Sequence, residues 1–155
     1  MKVRLIFNFN KTQVSIIKKS QFWMVHCIDI KLSGLIDIAK KINEVGGFMS
    51  NNKDPCNFLC IFLRFVELSP SIDIIKGFLL EDRYVALRVL ALIYIRLILS
   101  KKNILTFYKP FINSEQLVTI KIGKFTVKSL TLKVLIKNLI KKKYFYGFYL
   151  PFIKM

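Results

Sequence analysis

Acidic residues and the side chains of common catalytic sites are scarce in this sequence. Its 155 residues include nine Asp and Glu against 26 Lys and Arg, and its one histidine is His26. One histidine with no Ser or Cys relay around it gives no basis for a catalytic triad. The pair Gly46-Gly47 is not followed by the Lys-Ser/Thr of a phosphate-binding loop. We therefore expect a protein that is not an enzyme, with no catalytic residues, no cofactor and no small-molecule substrate.

Cysteines are also few. Cys27, Cys56 and Cys60 are too few, and odd in number, for the disulfide framework of a small secreted domain. Cys56 and Cys60 are one helical turn apart and could place two thiolates on a metal, but no second pair of ligands follows. We expect buried structural thiols and no metal site.

Long apolar runs are missing, although the mean hydropathy is +0.43. The runs 58–68 and 85–99 are broken by Arg64 and by Arg88 and Arg96. Neither run offers the roughly 20 apolar residues that span a bilayer. The N-terminal stretch has no sustained apolar core or cleavage site, which argues against a signal peptide. No membrane partner is expected, and a small membrane-associated protein is the least favoured alternative.

Apolar residues are nevertheless abundant, at 54% of the chain, which suits one core in a chain of this length. Residues 82–99 are apolar on nearly every side, as expected of a helix surrounded by other helices. We predict a mainly α fold, a compact single-domain helical bundle around this central helix. Asp54 and Ser69 are the expected N-caps of two helices that begin with proline. The other helices of this part of the chain are predicted over 21–29, 33–44, 55–68, 70–80 and 102–108.

A hairpin and a basic helix are predicted near the C-terminus. Residues 117–130 alternate polar and apolar side chains around Gly123-Lys124, the pattern of one small β-hairpin. Residues 130–143 follow as an amphipathic helix with a basic outer face. The aromatic tail that follows is expected to fold back onto the body. The candidate surface for a partner or for RNA consists of Lys133, Lys137, Lys141, Lys142 and Lys143.

The arginines that interrupt the apolar runs need partners, because an unpaired buried charge is costly. Arg64, Arg88 and Arg96 are each expected to reach a carboxylate, a backbone carbonyl or the surface. The leading candidate partners are Asp73, Glu81 and Asp82. We interpret the acidic pair as part of a helix junction rather than as acid-base catalysts. The residues of this junction are Glu81, Asp82 and Arg83.

Several short motifs occur in order along the middle of the chain. They are Phe58-Leu59-Cys60, residues 69–74 (SPSIDI), Glu81-Asp82 and residues 88–97 (RVLALIYIRL). This series resembles the central block of the pre-mRNA-splicing factor 38 family. Flanking motifs similar to that family are Phe22-Trp23, Cys27, residues 44–47, residues 107–110 and Leu150-Pro151. The resemblance covers about residues 20–153, so we divide the chain into a diverged N-terminal segment, 1–19, and a splicing factor 38-like helical domain, 20–155.

The resemblance implies a non-catalytic scaffold subunit of the spliceosomal tri-snRNP, required for pre-mRNA splicing and spliceosome activation and acting through protein–protein contacts. The implied partners are a zinc-finger splicing protein and a long-helix homologue of the microfibrillar-associated protein 1 type. The implied location is the nucleus, or the reduced nuclear compartment of an endosymbiont. The chain departs from the family in its Lys-rich final helix, where the family has an acidic one, and we expect the family's charged tail to be missing.

An alternative is a basic RNA-binding module, so spliceosomal RNA remains a possible partner. The lysine face would contact phosphates, and Tyr144, Phe145, Tyr146 and Tyr149 would stack on bases. Interleaved aromatics of the kind found in common RNA-binding motifs are lacking, which favours the protein scaffold. Lys, Ile, Asn and Phe are all favoured by AT-rich codons. We therefore interpret the chain as a minimal, diverged family member from a reduced AT-rich genome, in which part of the lysine excess is compositional.

Overall fold

The computed structural model describes residues 10–49, 54–146 and 148–150, which form helices around one buried helix and a small sheet. The α-helices are α1 (Lys11–Lys19), α2 (Leu32–Ala39), α3 (Asn57–Leu68), α4 (Ile72–Leu79), α5 (Val85–Ile98), α6 (Lys101–Tyr108) and α7 (Leu132–Lys141). A π-helix, Trp23–Cys27, precedes α2, and a 3-10 turn, Lys109–Phe111, follows α6. The strands are β1 (Glu44–Val45), β2 (Leu117–Lys121), β3 (Val127–Thr131), β4 (Tyr144–Phe145) and β5 (Phe148–Tyr149).

Helix α5 is the centre of the domain. Every residue from 86 to 97 is buried, and the helix contacts α2, α3, α4, α6, α7 and β1. The small side chains of Ala86 and Ala91 leave room for neighbouring helices to approach. The hydroxyl of the buried Tyr108 in α6 donates to the Leu92 carbonyl at 2.6 Å. The predicted single-domain bundle around a central apolar helix is confirmed.

Two buried arginines of α5 each donate to the C-terminal end of another helix. Arg88 Nε donates to the carbonyl of Leu79, the last residue of α4, at 2.8 Å. Arg96 Nε donates to the carbonyl of Leu139 in the last turn of α7, at 2.7 Å. The last carbonyls of a helix lack intrahelical partners, so both guanidinium groups bind acceptors that would otherwise be unsatisfied. Burial lowers the pKa of both arginines.

Arg64 of α3 also binds a backbone carbonyl. Its Nε and Nη2 donate to the Ile30 carbonyl at 3.0 and 2.8 Å, and its Nη1 donates to Glu67 Oε1 at 3.3 Å. The prediction that all three arginines reach acceptors is confirmed, but the proposed carboxylate partners are wrong. The guanidinium groups instead reach backbone carbonyls at two helix ends and in the loop before α2. The residues wrongly assigned as partners are Asp73, Glu81 and Asp82.

The segment after α2 is a strand rather than the end of a helix. The helix predicted over 33–44 stops at Ala39, and β1 pairs in parallel with β2, with Glu44 opposite Thr119 and Val45 opposite Ile120. Burial of Val45 and Ile120 explains why the chain leaves the helix early. Gly46 follows at a φ of 149°, and a Cβ there would lie 2.9 Å from the carbonyl oxygen of Lys121. Only glycine fits this approach of two strands.

The N-caps of α3 and α4 are not the predicted residues, Asp54 and Ser69. Helix α3 begins after Cys56, and Pro55 pairs with Phe48 in a β-bridge instead of opening the helix. Ser69 ends α3 in a left-handed conformation, with φ at 47°. Helix α4 is capped by Ser71, whose side chain accepts from the Ile74 amide at 3.4 Å. Both Ser69 and Ser71 can cap a helix. Because Ser69 is needed to end α3, Ser71 is the residue that caps α4.

The C-terminal hairpin is confirmed as the antiparallel pair β2–β3, with Val118 opposite Leu130 and Lys121 opposite Val127. The sheet order is β1-β2-β3, and β4 and β5 form a separate antiparallel pair. Part of the aromatic tail folds back as expected, since Phe145 and Leu150 are buried. The expectation for residues 151–155 lies outside the described residues.

Within the described part of the chain, no helix is both long enough and apolar enough to cross a membrane.

Replacing Leu92 by Ala should destabilise the fold by about 2–5 kcal/mol, because this side chain is completely buried in α5 and leaves a cavity. The measurement is chemical denaturation followed by circular dichroism. Leu80→Ala is the matched control, since Leu80 is 78% exposed and its loss should cost less than about 0.5 kcal/mol. Equal losses for the two variants would contradict a central α5.

Candidate partner-binding surface

Helix α7 has one face in the core and one in solvent. Thr131 caps it by accepting from the Val134 amide at 3.3 Å. Leu132, Leu135, Ile136 and Leu139 recur at helical spacing and are buried. The hydrogen bond from Arg96 to the Leu139 carbonyl holds its last turn against α5. The orientation of the outer face is therefore set by the core.

The predicted lysines lie on that outer face or just beyond it. Lys133, Lys137 and Lys141 are exposed along α7, and Lys142 and Lys143 follow the helix and are also exposed. Lys133 Nζ donates to Glu115 Oε1 at 2.8 Å. Both side chains of that ion pair are exposed, so the pair neutralises Lys133 only weakly.

The outer face of α7 borders a shallow groove of about 370 Å³. Its apolar part includes Ile112 and Val134, which are 42% and 37% exposed. The groove is lined by Ile112, Asn113, Lys133, Val134, Ile136, Lys137, Ile140 and Lys141. Three of the five predicted lysines thus lie around one apolar surface, whereas Lys142 and Lys143 do not line it. The sequence pattern indicated the lysines but not Ile112, which is placed there by the turn after α6.

The predicted helix junction is an exposed corner held by hydrogen bonds. Arg83 Nε donates to Glu81 Oε1 at 3.2 Å, and this hydrogen bond lowers the pKa of Glu81. Gln116 links the corner to the core, because its amide nitrogen donates to the Asp82 carbonyl at 2.9 Å and its oxygen accepts from Arg88 at 2.7 Å. Nothing in the sequence pattern singled out Gln116. The corner fixes the turn between α4 and α5.

The three cysteines are free and buried, as predicted. Burial raises the pKa of Cys27 and of Cys56 to about 12 and also raises that of Cys60. Cys56 Sγ donates to the Gly46 carbonyl at 2.9 Å. No group of three or more His, Cys, Asp or Glu side chains in residues 10–49, 54–146 and 148–150 is placed to hold a metal ion.

A cavity of about 770 Å³ is lined by Ser20, His26 and Asp54 among others, and Ser, His and Asp are the residue types of a hydrolase triad. The Ser20 hydroxyl donates to the Ile17 carbonyl at 2.7 Å and accepts from the Trp23 amide at 3.3 Å. The His26 ring packs on Phe22, with centroids 4.8 Å apart. The Ser20 hydroxyl thus bonds the backbone at the end of α1 and the start of the π-helix, so Ser20 is engaged in structure rather than activated by His26.

Comparison of the sequence with known families finds one match over nearly the whole chain. A model of the PRP38 family matches residues 2–155. Pre-mRNA-splicing factor 38 of Arabidopsis thaliana is 27% identical over 135 residues, which cover 86% of this chain and 38% of that protein. Pre-mRNA-splicing factor 38A of Xenopus tropicalis is 27% identical over 104 residues, which cover 67% of this chain and 33% of that protein. The matched region is thus about a third of the length of these relatives.

The fold also matches a solved structure. A chain in the crystal structure of the Snu23-Prp38-MFAP1(217-258) complex of Chaetomium thermophilum superposes with a TM-score of 0.88 at 25% sequence identity. The match covers 98% of this chain and 79% of that chain. The mainly helical domain with its small sheet is therefore a fold already known from that complex.

The buried thiols should be unreactive in the native protein at about pH 8, because a raised pKa leaves little thiolate. A folded-state pKa above the ordinary value of 9.0 means that the folded state holds these protons more tightly. The resulting stabilisation is complete below about pH 9 and is lost as the pH rises towards about 12. Thiol titration with and without denaturant measures the reactivity of the thiols. Urea unfolding at several pH values measures the loss of stability at high pH.

Cys56→Ala is the control for the loss of stability at high pH, since a variant with one thiol fewer should lose less stability over the same pH range. Complete labelling of all three thiols in the native protein would contradict their burial.

Proposed function

Since this chain belongs to the PRP38 family, we propose that it is a splicing protein that binds other spliceosomal proteins rather than catalysing a reaction. In this proposal it is a non-catalytic scaffold subunit of the tri-snRNP that is needed for spliceosome activation. It would act in the nucleus or in an equivalent reduced nuclear compartment. Support comes from the family match and from the splicing factors named among its relatives.

The proposed partners are counterparts of the two proteins that accompany Prp38 in the matched crystal structure, Snu23 and MFAP1. The structural similarity over 98% of this chain supports placing the partner-binding surfaces at equivalent positions of the fold. The MFAP1 part is a short segment, 217–258, rather than a whole domain. A segment of this length suits binding along a groove rather than domain-to-domain packing.

The observation that carries a binding role is the lysine-bordered groove on α7. Exposed Ile112 and Val134 offer an apolar surface, and lysines four residues apart border it. An amphipathic helix that buries its apolar face here would place acidic side chains four residues apart, about 6 Å along its axis, opposite these lysines. We therefore propose an acidic helical segment as the occupant of the groove.

A protein segment is favoured over RNA at this groove. The described residues that line it include no aromatic ring on which a base could stack. Its apolar side chains would remain in contact with water if only phosphates bound the lysines. Burying them against an apolar helix face provides the missing driving force.

Lys133→Glu/Lys137→Glu should weaken binding of a fluorescent MFAP1(217–258) peptide by about tenfold, mainly through slower association, because reversed rim charges repel an acidic segment. Stopped-flow and equilibrium titrations at two salt concentrations measure both effects. Lys101→Glu/Lys102→Glu is the matched control, since these two exposed lysines at the start of α6 do not line the groove.

Each result has a separate meaning. Peptide binding that both double variants leave unchanged would place the partner elsewhere on the domain and overturn the groove. Tight RNA binding without any peptide binding would overturn the scaffold proposal itself.

A further inference from the structure

Phe125 is the most exposed large hydrophobic side chain among the described residues, at 91%. It lies at the tip of the β2–β3 hairpin and does not line the groove of the scaffold proposal. The tip is ordered by its own hydrogen bonds: the amides of Ile122 and Gly123 both donate to the Thr126 carbonyl, at 3.0 and 3.2 Å. An aromatic ring is therefore held in water by a well-defined turn, and burying it would be favourable.

One lysine lies beside this ring, and two more lie on the strands of the hairpin. Lys124 Nζ lies 5.5 Å from the centroid of the Phe125 ring. Lys121 Nζ donates to the Lys124 carbonyl at 3.2 Å, which also fixes the tip. In the antiparallel register Lys121 is opposite Val127 and Lys128 is opposite Ile120, so Lys121 and Lys128 lie on opposite faces of the hairpin. A ligand that crosses the tip meets a positive charge on either side.

A second ring lies beside one of these charges. Lys128 Nζ is 5.9 Å from the centroid of the Tyr146 ring, which is only partly buried. The Tyr146 carbonyl accepts from the Gly47 amide at 2.8 Å, so this ring is attached to the body of the domain. The hairpin and the turn after β4 thus present two aromatic rings, each with a lysine ammonium within about 6 Å of its centroid.

Neutralising carboxylates are scarce in this region. Residues 116–155 contain nine Lys and no Asp or Glu. Glu44 of β1 reaches Lys121 at 3.8 Å, so Lys121 is partly neutralised. No such ion pair involves Lys124 or Lys128 within the described part of the chain. These two lysines are the ones available for an anionic ligand.

We propose that the tip of the β2–β3 hairpin, with Phe125, Lys124, Lys128 and Tyr146, is a contact site for single-stranded nucleic acid. One base stacks on Phe125, and the adjoining phosphates pair with Lys124 and Lys128. This combination of flat rings and cations fits a strand of alternating bases and phosphates. A polyacidic peptide without aromatic side chains would use the lysines but would leave the face of Phe125 in water. The proposal is independent of the α7 groove and does not require a protein partner there.

The test measures anisotropy of a fluorescent oligouridylate of roughly a dozen nucleotides with the full chain, at about 50 and 200 mM salt. Phe125→Ala should weaken binding about tenfold through loss of one stacked base, and Phe125→Tyr should bind like the wild type. Lys124→Gln/Lys128→Gln should reduce the slope of log affinity against log salt by about 1.4. The controls Leu80→Ala and Lys101→Gln/Lys102→Gln remove the same kinds of exposed side chain elsewhere and should have little effect.

Melting curves should be unchanged by Phe125→Ala, because the lost ring is exposed, so weaker binding would not reflect unfolding. The proposal is overturned if Phe125→Ala binds the oligonucleotide like the wild type, since the lysines would then act as a general polyanion site. It is also overturned if the control variants weaken binding as much as the hairpin variants. A third overturning result is binding to anionic phosphatidylserine vesicles or to polyglutamate without binding to the oligonucleotide.

Discussion

The fold depends on burying α5 on every side although it carries two arginines. Arg88 and Arg96 solve the problem by donating to carbonyls at the C-terminal ends of α4 and α7. Each contact satisfies a buried donor and a helix-end acceptor together, and it places a positive charge at the negative end of a helix dipole. The solution is incomplete, since Nη1 of Arg96 is buried without a hydrogen-bond partner. The two arginines therefore fix the neighbouring helices to the core at some energetic cost.

This arrangement determines which surface the chain offers to other molecules. Because Arg96 holds the last turn of α7, the buried face of that helix cannot rotate outwards, and its lysines must point to solvent. Arg88, near the other end of α5, donates to Gln116, and Gln116 in turn donates to the Asp82 carbonyl. These two hydrogen bonds fix the residue that immediately precedes β2. The basic helix and the hairpin are thus both positioned from one central helix.

Elements specified by their own side-chain period could be predicted from the sequence. The all-round apolarity of α5, the amphipathic pattern of α7 and the alternation in β2 and β3 each identified the element, with ends wrong by a few residues. Elements that depend on distant partners could not. Strand β1 exists because residues 44–45 pair with β2 more than 70 residues later, and the acceptors of the arginines are backbone carbonyls that no side-chain pattern reveals. The groove lysines were predictable from helical spacing, whereas Ile112 joined them only through the folded turn after α6.

The positive charge is unevenly distributed along the chain. All nine Asp and Glu residues precede residue 116, whereas residues 116–155 contain nine Lys and no carboxylate side chain. In residues 10–49 and 54–115, carboxylates pair with Lys18, Arg64 and Arg83. Lys121 and Lys133 pair with carboxylates of earlier elements, and within the described part of the chain no ion pair involves the other lysines of the hairpin and α7, which are Lys124, Lys128, Lys137 and Lys141. A positive field concentrated on one part of a compact domain attracts and orients anionic ligands.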